Sequence, residues 1–207
     1  MILSYPLQVT IVGNFDTSVR GSVGEQMMYS TIDYLKSMDF LVYTDKGRTT
    51  PLYRIKVYPL QRGFVRWDFL DSSGKLLGGG KRKPLDMLQR NFEILDNDVT
   101  KYRIRRGRYR RSSPDSLLTR LPVLGTVVSH WPLSAYLAER VDASGGVGAT
   151  VMRMGSRPSL LRRMYEVEKL DMSLSQAEEE RILLGFLTVT SWLVGRPSRH
   201  HHHHHHH

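Results

Sequence analysis

Hydrophobic positions between residue 1 and about residue 165 recur in short segments that alternate with polar positions, as in β-strands with one buried face. The segments are rich in β-branched and aromatic residues, and turns that carry Asp, Asn or Gly separate them. Four pairs of segments are each joined by one such turn, at 40–57, 64–78, 91–105 and 136–154. Successive hairpins without intervening helices predict an antiparallel sheet and argue against a parallel, doubly wound one.

A different pattern occupies residues 175–194, where the spacing predicts a helix. Ser175 and Glu178 have the spacing of a capping box, and two further glutamates follow at the positive end of the helix dipole. From residue 182 to 194 the large apolar residues fall at all angles around the helix, which leaves no polar face. This apolar run is shorter than the roughly 20 residues that cross a bilayer, so it favours a helix buried in a protein core.

A long antiparallel sheet must close or split, and closing it around an apolar helix hides both the sheet edges and the helix. We therefore predict a mainly β fold, a closed antiparallel β-barrel of hairpin repeats filled by a central C-terminal hydrophobic α-helix. Residues 1–197 are predicted to form one domain, with residues 1–3 in the first strand. Residues 198–207 end in eight histidines and are interpreted as an expression tag. No secretion signal is apparent, so a cytoplasmic location, peripheral at the membrane, is expected.

The stretch WDFLDSSGKLLGGGKRK, followed by RNFEILDND, resembles the hairpin repeat of the tubby-like superfamily. That superfamily groups the tubby C-terminal domain, the phospholipid scramblases and the plant LURP-one-related proteins. SLLRRMYEVEKLD and the buried helix resemble its final strand and central helix, and the resemblance implies a closed antiparallel barrel threaded by such a helix. Residues 103–135 depart from the repeat, and 103–120 are expected to form a basic loop. No position matches a lipid-binding or calcium-binding motif of the family, so no site residue is transferred.

The chain carries a formal net charge of +10, with 22 arginines and 8 lysines, and the excess is clustered. One cluster follows the glycines at 78–80, and the other fills nine residues after Tyr102. The candidate anion-binding residues are Lys81, Arg82, Lys83, Arg103, Arg105, Arg106, Arg108, Arg110 and Arg111. The planar fork of arginine pairs with phosphate oxygens, so an anionic phospholipid or another phosphorylated ligand is expected. A nucleic acid is the second partner considered, with Tyr102, Tyr109 or Trp67 stacking on bases, and a solvated basic face is the third interpretation.

Patterns typical of catalysis or metal binding are missing from the sequence. There is no cysteine, and His130 is the one histidine outside the tag, which excludes His/Cys zinc sites, disulfides and cysteine nucleophiles. Ser129 and Asp142 do not have a spacing to His130 that supports nucleophilic catalysis. The glycines at 78–80 fail the phosphate-loop pattern and instead predict a bulge or a close backbone approach. No cofactor and no metal ion are expected.

These observations favour a non-catalytic binding module of tubby-like type that presents a basic surface to an anionic membrane lipid, such as a phosphoinositide, or to a phosphorylated ligand. Two alternatives stay open. One is a scramblase-like membrane protein, although no transmembrane span is expected from the short final helix. The other is a nucleic-acid-binding protein that uses the Arg-rich segment 103–111. An enzyme with an unrecognised site in the barrel mouth is less favoured.

Overall fold

The computed structural model describes residues 1–13, 16–33, 39–61, 63–83, 91–109, 133–160 and 162–194. The tag lies outside these ranges. Within them the chain forms twelve strands followed by a helix. The elements are β1 (Leu7–Val12), β2 (Asp16–Arg20), β3 (Gln26–Ile32), β4 (Phe40–Tyr43), β5 (Pro51–Gln61), β6 (Phe64–Asp71), β7 (Leu76–Arg82), β8 (Phe92–Asp96), β9 (Val99–Tyr109), β10 (Leu133–Val141), β11 (Val147–Arg157), β12 (Arg163–Lys169) and α1 (Gln176–Val194).

Each strand pairs antiparallel with the strands before and after it in the chain, and β1 also pairs with β12, so the sheet closes into a barrel. This confirms the predicted mainly β fold. The four predicted hairpins are β4–β5, β6–β7, β8–β9 and β10–β11. The prediction that residues 1–3 form the first strand is wrong. Met1 and Ile2 are both exposed and do not alternate between two faces, and β1 begins only at Leu7.

Side chains alternate between the inside and the outside of the barrel, as the pleat of a strand requires. In β1, Leu7, Val9 and Ile11 are buried, whereas the residues between them are partly exposed. Residues directly opposite each other in an antiparallel pair lie on the same face of the sheet. The register of each pair therefore assigns a position to the inner or the outer wall. The inner wall and the helix share one continuous hydrophobic core.

Helix α1 fills the barrel, as the sequence predicts. Every residue from 182 to 191 is buried, so the helix has no solvent-facing side there. The capping box is formed, because the Ser175 N–H donates to Glu178 Oε2 at 2.8 Å and the Glu178 N–H donates to Ser175 Oγ at 3.2 Å. Close packing against β8 depends on a glycine, since a Cβ on Gly185 would lie 2.9 Å from Ile94 Cδ1.

The predicted close backbone approach at residues 78–80 is confirmed. The β6–β7 register shifts beside these glycines, which marks a bulge. A Cβ on Gly80 would lie 2.1 Å from the Phe92 ring, so a side chain at this position would collide with the core. Next to Gly78, Arg181 of the helix reaches the strand, and its Nε donates to the Leu77 carbonyl at 2.7 Å. The glycine run is therefore a docking surface for the helix and for core aromatic rings.

The two ends of the barrel differ, and we name them by the helix. The proximal end is the end at which α1 begins, and the distal end is the end at which α1 finishes. The turns of the β4–β5, β6–β7, β8–β9 and β10–β11 hairpins all lie at the proximal end. The connections from β7 to β8 and from β9 to β10 start from the distal end.

Aspartates hold the proximal turns together, as turn aspartates commonly do. Asp71 Oδ1 accepts the backbone N–H groups of Ser73 and Lys75, each at 2.9 Å. The hydrogen bonds from the Ser73 hydroxyl and from these amides lower the pKa of the Asp71 carboxyl. Asp142 repeats the arrangement with Ser144, and its pKa is lowered in the same way. The proximal carboxylates are thus part of the turn structure.

Candidate functional site

Three of the predicted anion-binding residues lie on the outer wall, where carboxylates neutralise them. Lys81 Nζ lies 3.6 Å from Glu93 Oε2, and Arg103 Nη2 lies 3.9 Å from Glu93 Oε1. Arg105 Nε donates to Glu139 Oε1 at 2.5 Å. These residues form a cross-strand row of alternating charge. A cation beside a carboxylate attracts a distant anion only weakly, so this row is chiefly structural.

Arg82 is not part of a surface cluster, which corrects the sequence prediction for this residue. It is 3% exposed and lies directly opposite Val65, a residue of the inner wall. The strand alternation explains this position: Lys81 points outward beside Arg66, so its neighbour must point inward.

Arg106 and Arg108 differ from the outer-wall residues. Arg106 lies opposite Tyr136, whose side chain is 5% exposed within the core, so Arg106 belongs to the inner wall. Arg108 lies two residues further towards the distal end, on the same wall, opposite Ser134. Both arginines are exposed, and neither makes an ion pair within the part of the chain that the structure describes. They stand at the distal mouth of the barrel.

Of the three remaining predicted anion-binding residues, the structure describes only Lys83. Lys83 is exposed just beyond β7, with its Nζ 5.7 Å from the centre of the Phe64 ring. Arg110 and Arg111 lie outside the described residues. The basic loop predicted for 103–120 is wrong for residues 103–109, which belong to β9 because Ile104 and its neighbours alternate into the core. The rest of that segment lies outside the described residues.

Sequence reasoning missed a further basic residue at the distal end, Arg163. It lies opposite Ile11 in the β1–β12 pair and therefore on the inner wall. Its Nη2 atom is buried and has no hydrogen-bond partner in the described part of the structure. The signal was present in the sequence, because Arg163, Tyr165 and Val167 alternate along one face of a strand.

At the proximal end, buried tyrosines face the glutamates of the first helical turns. The Tyr102 hydroxyl donates to Glu178 Oε1 at 2.6 Å, and burial together with this carboxylate raises the pKa of Tyr102. Burial disfavours the charged form of Glu178, but the hydrogen bonds from Tyr102 and Ser175 outweigh that cost and lower the pKa of Glu178. Burial and the neighbouring Glu180 likewise raise the pKa of Tyr53.

The nucleic-acid interpretation loses two of its three stacking residues. Trp67 is 0% exposed and Tyr102 is 2% exposed, since both belong to the inner wall and pack in the core. Neither ring can stack on a base without opening the barrel. The side chain of Tyr109 lies outside the described part of the structure.

Other chemistry is limited within the described ranges. His130 and Ser129 lie outside them, so the catalytic combination considered for Asp142 is not tested. No group of three or more His, Asp or Glu side chains is placed to hold a metal ion in the described segments. None of the described helices is long and apolar enough to cross a membrane.

A groove of about 400 Å³ lies between the β4–β5 and β6–β7 turns, near the proximal end. Its charged walls are mixed, because Asp71 lines it together with two arginines, and Arg54 pairs with Asp39 at 3.1 Å. The predicted anion-binding residues that the structure describes do not line this groove. Its main lining residues are Leu41, Tyr43, Arg48, Arg54, Leu70 and Asp71.

Comparison with protein-family models, with curated proteins and with solved structures finds no match in any of the three.

Proposed function

We propose that the protein is a non-catalytic binding module of tubby-like type, which uses the distal end of its barrel to bind a phosphate-bearing anion. The headgroup of an anionic lipid, such as a phosphoinositide at the cytoplasmic face of a membrane, is the favoured source of that anion. The closed antiparallel barrel filled by a C-terminal helix agrees with the fold that the sequence resemblance implies. This agreement supports the assignment of the protein class.

One observation carries the choice of binding surface. Arg106 and Arg108 are exposed at the distal mouth and have no ion pair in the described structure, whereas Arg103 and Arg105 have carboxylate partners. Unpaired arginines retain their full charge and their forked donors for phosphate oxygens. Lys83, exposed beyond β7, adds a cation on the same end of the barrel. The proposed surface therefore comprises Lys83, Arg106 and Arg108.

The test is co-sedimentation of tag-free protein with vesicles of neutral phosphatidylcholine, with added phosphatidylserine or with added phosphoinositide. We expect binding to the two anionic compositions, weaker at high salt because the attraction is electrostatic. A DNA duplex added as competitor separates a lipid ligand from a nucleic acid. Displacement of the protein by the duplex at low concentration would favour nucleic acid, and absence from all anionic vesicles would contradict the lipid proposal.

Two double variants provide a matched comparison. Arg106→Gln with Arg108→Gln should weaken vesicle binding roughly 30-fold, because each basic residue near an anionic surface contributes about 1 kcal/mol. Arg103→Gln with Arg105→Gln removes the same formal charge from the paired outer row and should change binding much less. Equal losses of vesicle binding in the two double variants would show that binding depends on net charge alone. That result would contradict the choice of the distal mouth as the binding surface.

A further inference from the structure

The inner wall of β9–β12 changes character towards the distal end. Deeper in the barrel it is apolar, with residues such as Ile104, Ala138 and Met154. Towards the mouth it becomes polar and basic on all four consecutive strands. The residues of this inner basic recess are Arg106, Arg108, Ser134, Ser156, Arg163 and Tyr165.

Strand register places these residues on one face. Arg108 lies opposite Ser134, and Ser156 lies opposite Tyr165, whose ring packs against the core. The Tyr165 ring also contacts the Tyr136 ring, with centroids 6.3 Å apart, which fixes the floor of the recess. The recess is therefore built on strands and supported by packed aromatic rings, a rigid setting for a binding site.

The charge of the recess is one-sided. The carboxylates of β9–β12, such as Glu139, Glu166 and Glu168, lie on the outer wall, where they pair with arginines. Among the described residues of these strands, none on the inner wall carries a carboxylate. The recess thus offers positively charged and hydroxyl donors without an acidic competitor from its own strands. Donors of this kind suit a phosphate group, which presents several strong acceptor oxygens.

Arg163 supplies an independent observation that points to a ligand. Its Nη2 is buried without a hydrogen-bond partner in the described structure, and a buried guanidinium donor left without an acceptor is costly. The last turn of α1 has no basic residue to offset the negative end of the helix dipole, which also favours positive charge at the distal end. That attraction explains positive charge at this end but leaves the Nη2 donor without a partner.

We infer that the inner basic recess is a binding site for a phosphomonoester group, which enters the barrel from the distal mouth and accepts hydrogen bonds from Arg106, Arg108 and Arg163. The inference rests on the proposed function and deepens it, since it makes recognition specific to a terminal phosphate. A phosphoinositide headgroup and a free phosphorylated metabolite both carry such a group. Phosphatidylserine carries only a phosphodiester, so we expect it to contact the basic residues at the distal mouth without entering the inner basic recess.

The experiment measures two affinities for each protein variant. Calorimetry gives the affinity for soluble inositol trisphosphate, and co-sedimentation gives the affinity for phosphatidylserine vesicles. We expect Arg163→Gln to weaken inositol trisphosphate binding roughly tenfold or more, as expected for loss of a hydrogen bond to a charged group, with phosphatidylserine adhesion nearly unchanged. Arg163→Lys keeps the charge but loses the fork, so it should restore only part of the affinity.

Ser156→Ala guards against a folding defect in the Arg163 variants. It removes one hydroxyl at the recess and should weaken inositol trisphosphate binding a few-fold, with the melting temperature unchanged. If inositol trisphosphate affinity stays at the wild-type value in both variants, the inference is overturned, and a lowered melting temperature of Arg163→Gln would then show that Arg163 has only a structural role.

The outcomes separate this inference from the proposed function. Wild-type protein that binds anionic vesicles but not inositol trisphosphate overturns the recess and leaves the membrane-binding surface standing. Wild-type protein that binds inositol trisphosphate but no anionic vesicle supports the recess and identifies a free phosphorylated metabolite as its ligand, while it contradicts the lipid proposal.

Discussion

The two ends of the barrel use charged residues in opposite ways. At the proximal end, carboxylates are held by partners that the fold itself supplies, as in the hydrogen bonds from Ser73 to Asp71 and from Tyr102 to Glu178. At the distal end, Arg106 and Arg108 stand exposed without an ion pair in the described structure. Groups that are fully satisfied within a fold contribute to its stability, whereas unsatisfied groups are available to a ligand. The proximal end therefore stabilises the barrel, and the distal end is where binding is proposed.

The largest expected effect comes from a change in the core that both ends share. Leu187→Asp places a carboxylate at a side chain that is 2% exposed inside the barrel. We expect loss of the fold, because an isolated buried charge costs more than about 4 kcal/mol and whole domains have only about 5–15 kcal/mol of stability. Circular dichroism and urea denaturation measure the loss.

The control for that variant introduces the same charge at the surface. Leu170→Asp lies at the proximal end, where the leucine is 44% exposed, and should change stability by less than about 0.5 kcal/mol. A folded Leu187→Asp protein with wild-type melting would show that α1 does not fill the barrel, and the distinction between proximal and distal ends would lose its basis.

A smaller effect is expected from paired glycine substitutions at the two ends. In Gly78→Ala, near the proximal end, the new Cβ would lie 2.7 Å from the Leu95 carbonyl oxygen, and a backbone atom cannot move away cheaply. We expect a loss of about 1–3 kcal/mol. In Gly107→Ala, near the distal end, the nearest atom is Leu137 Cδ1 at 2.9 Å, the tip of a flexible side chain. That variant should stay within about 0.5 kcal/mol of wild type.

Urea midpoints at neutral pH compare these two glycine variants directly. Equal destabilisation by the two substitutions would mean that the strands pack as tightly at the distal end of the barrel as at the proximal end. The proposed difference in function between the ends would then have no counterpart in packing.

The smallest expected effect is on the stability of the fold at acidic pH. The pKa values of Asp142, Asp171 and Glu178 at the proximal end lie below their ordinary values, for Asp171 chiefly through the Ser173 hydroxyl and Arg140. A lowered folded-state pKa gives stability that is present above the unfolded pKa, about 4, and is lost as pH falls towards the folded value. Urea midpoints should therefore fall as the pH drops below about 4.

Glu178→Gln should reduce that acid dependence, since it removes one of the carboxylates whose pKa is lowered in the folded state. The double variant Arg106→Gln with Arg108→Gln changes charge only at the distal end and should keep the wild-type slope between pH 5 and pH 3. A flattened slope in the distal variant instead would mean that acid acts through net charge and not through the proximal carboxylates.

Local patterns in the sequence predicted most of the architecture. The capping box at Ser175 and the apolar helix after it were predicted correctly, because helix caps and burial depend on residues close together in the chain. Four hairpins followed from alternation and turn residues in the same way. The contact between Tyr102 and Glu178 could not be predicted, since it joins residues far apart in sequence that only barrel closure brings together.

The candidate site was harder to predict than the fold. Composition identified the Arg-rich segment, but composition cannot tell which wall of a barrel a side chain occupies. Register decides that, because moving one residue along a strand changes the wall, and it separates buried Arg82 from the outward-facing Lys81. Arg163 was not predicted as a site residue because it is distant in sequence from the two basic clusters. Only the order of the strands in the closed sheet brings it to the same wall and end of the barrel as Arg106 and Arg108.

The position of α1 after all twelve strands has a consequence for biosynthesis. A ribosome releases the strands first, and the helix that fills their interior emerges last. Until β12 and the helix have been synthesised, β1 lacks one of its neighbouring strands and the apolar inner wall has no helix to pack against. The nascent chain therefore exposes an unpaired strand edge and an apolar surface, both of which favour aggregation. Pairing between β1 and β12 is also a contact of long sequence separation, which slows folding. The barrel can therefore close around its helix only after the described strands and α1 have all been synthesised.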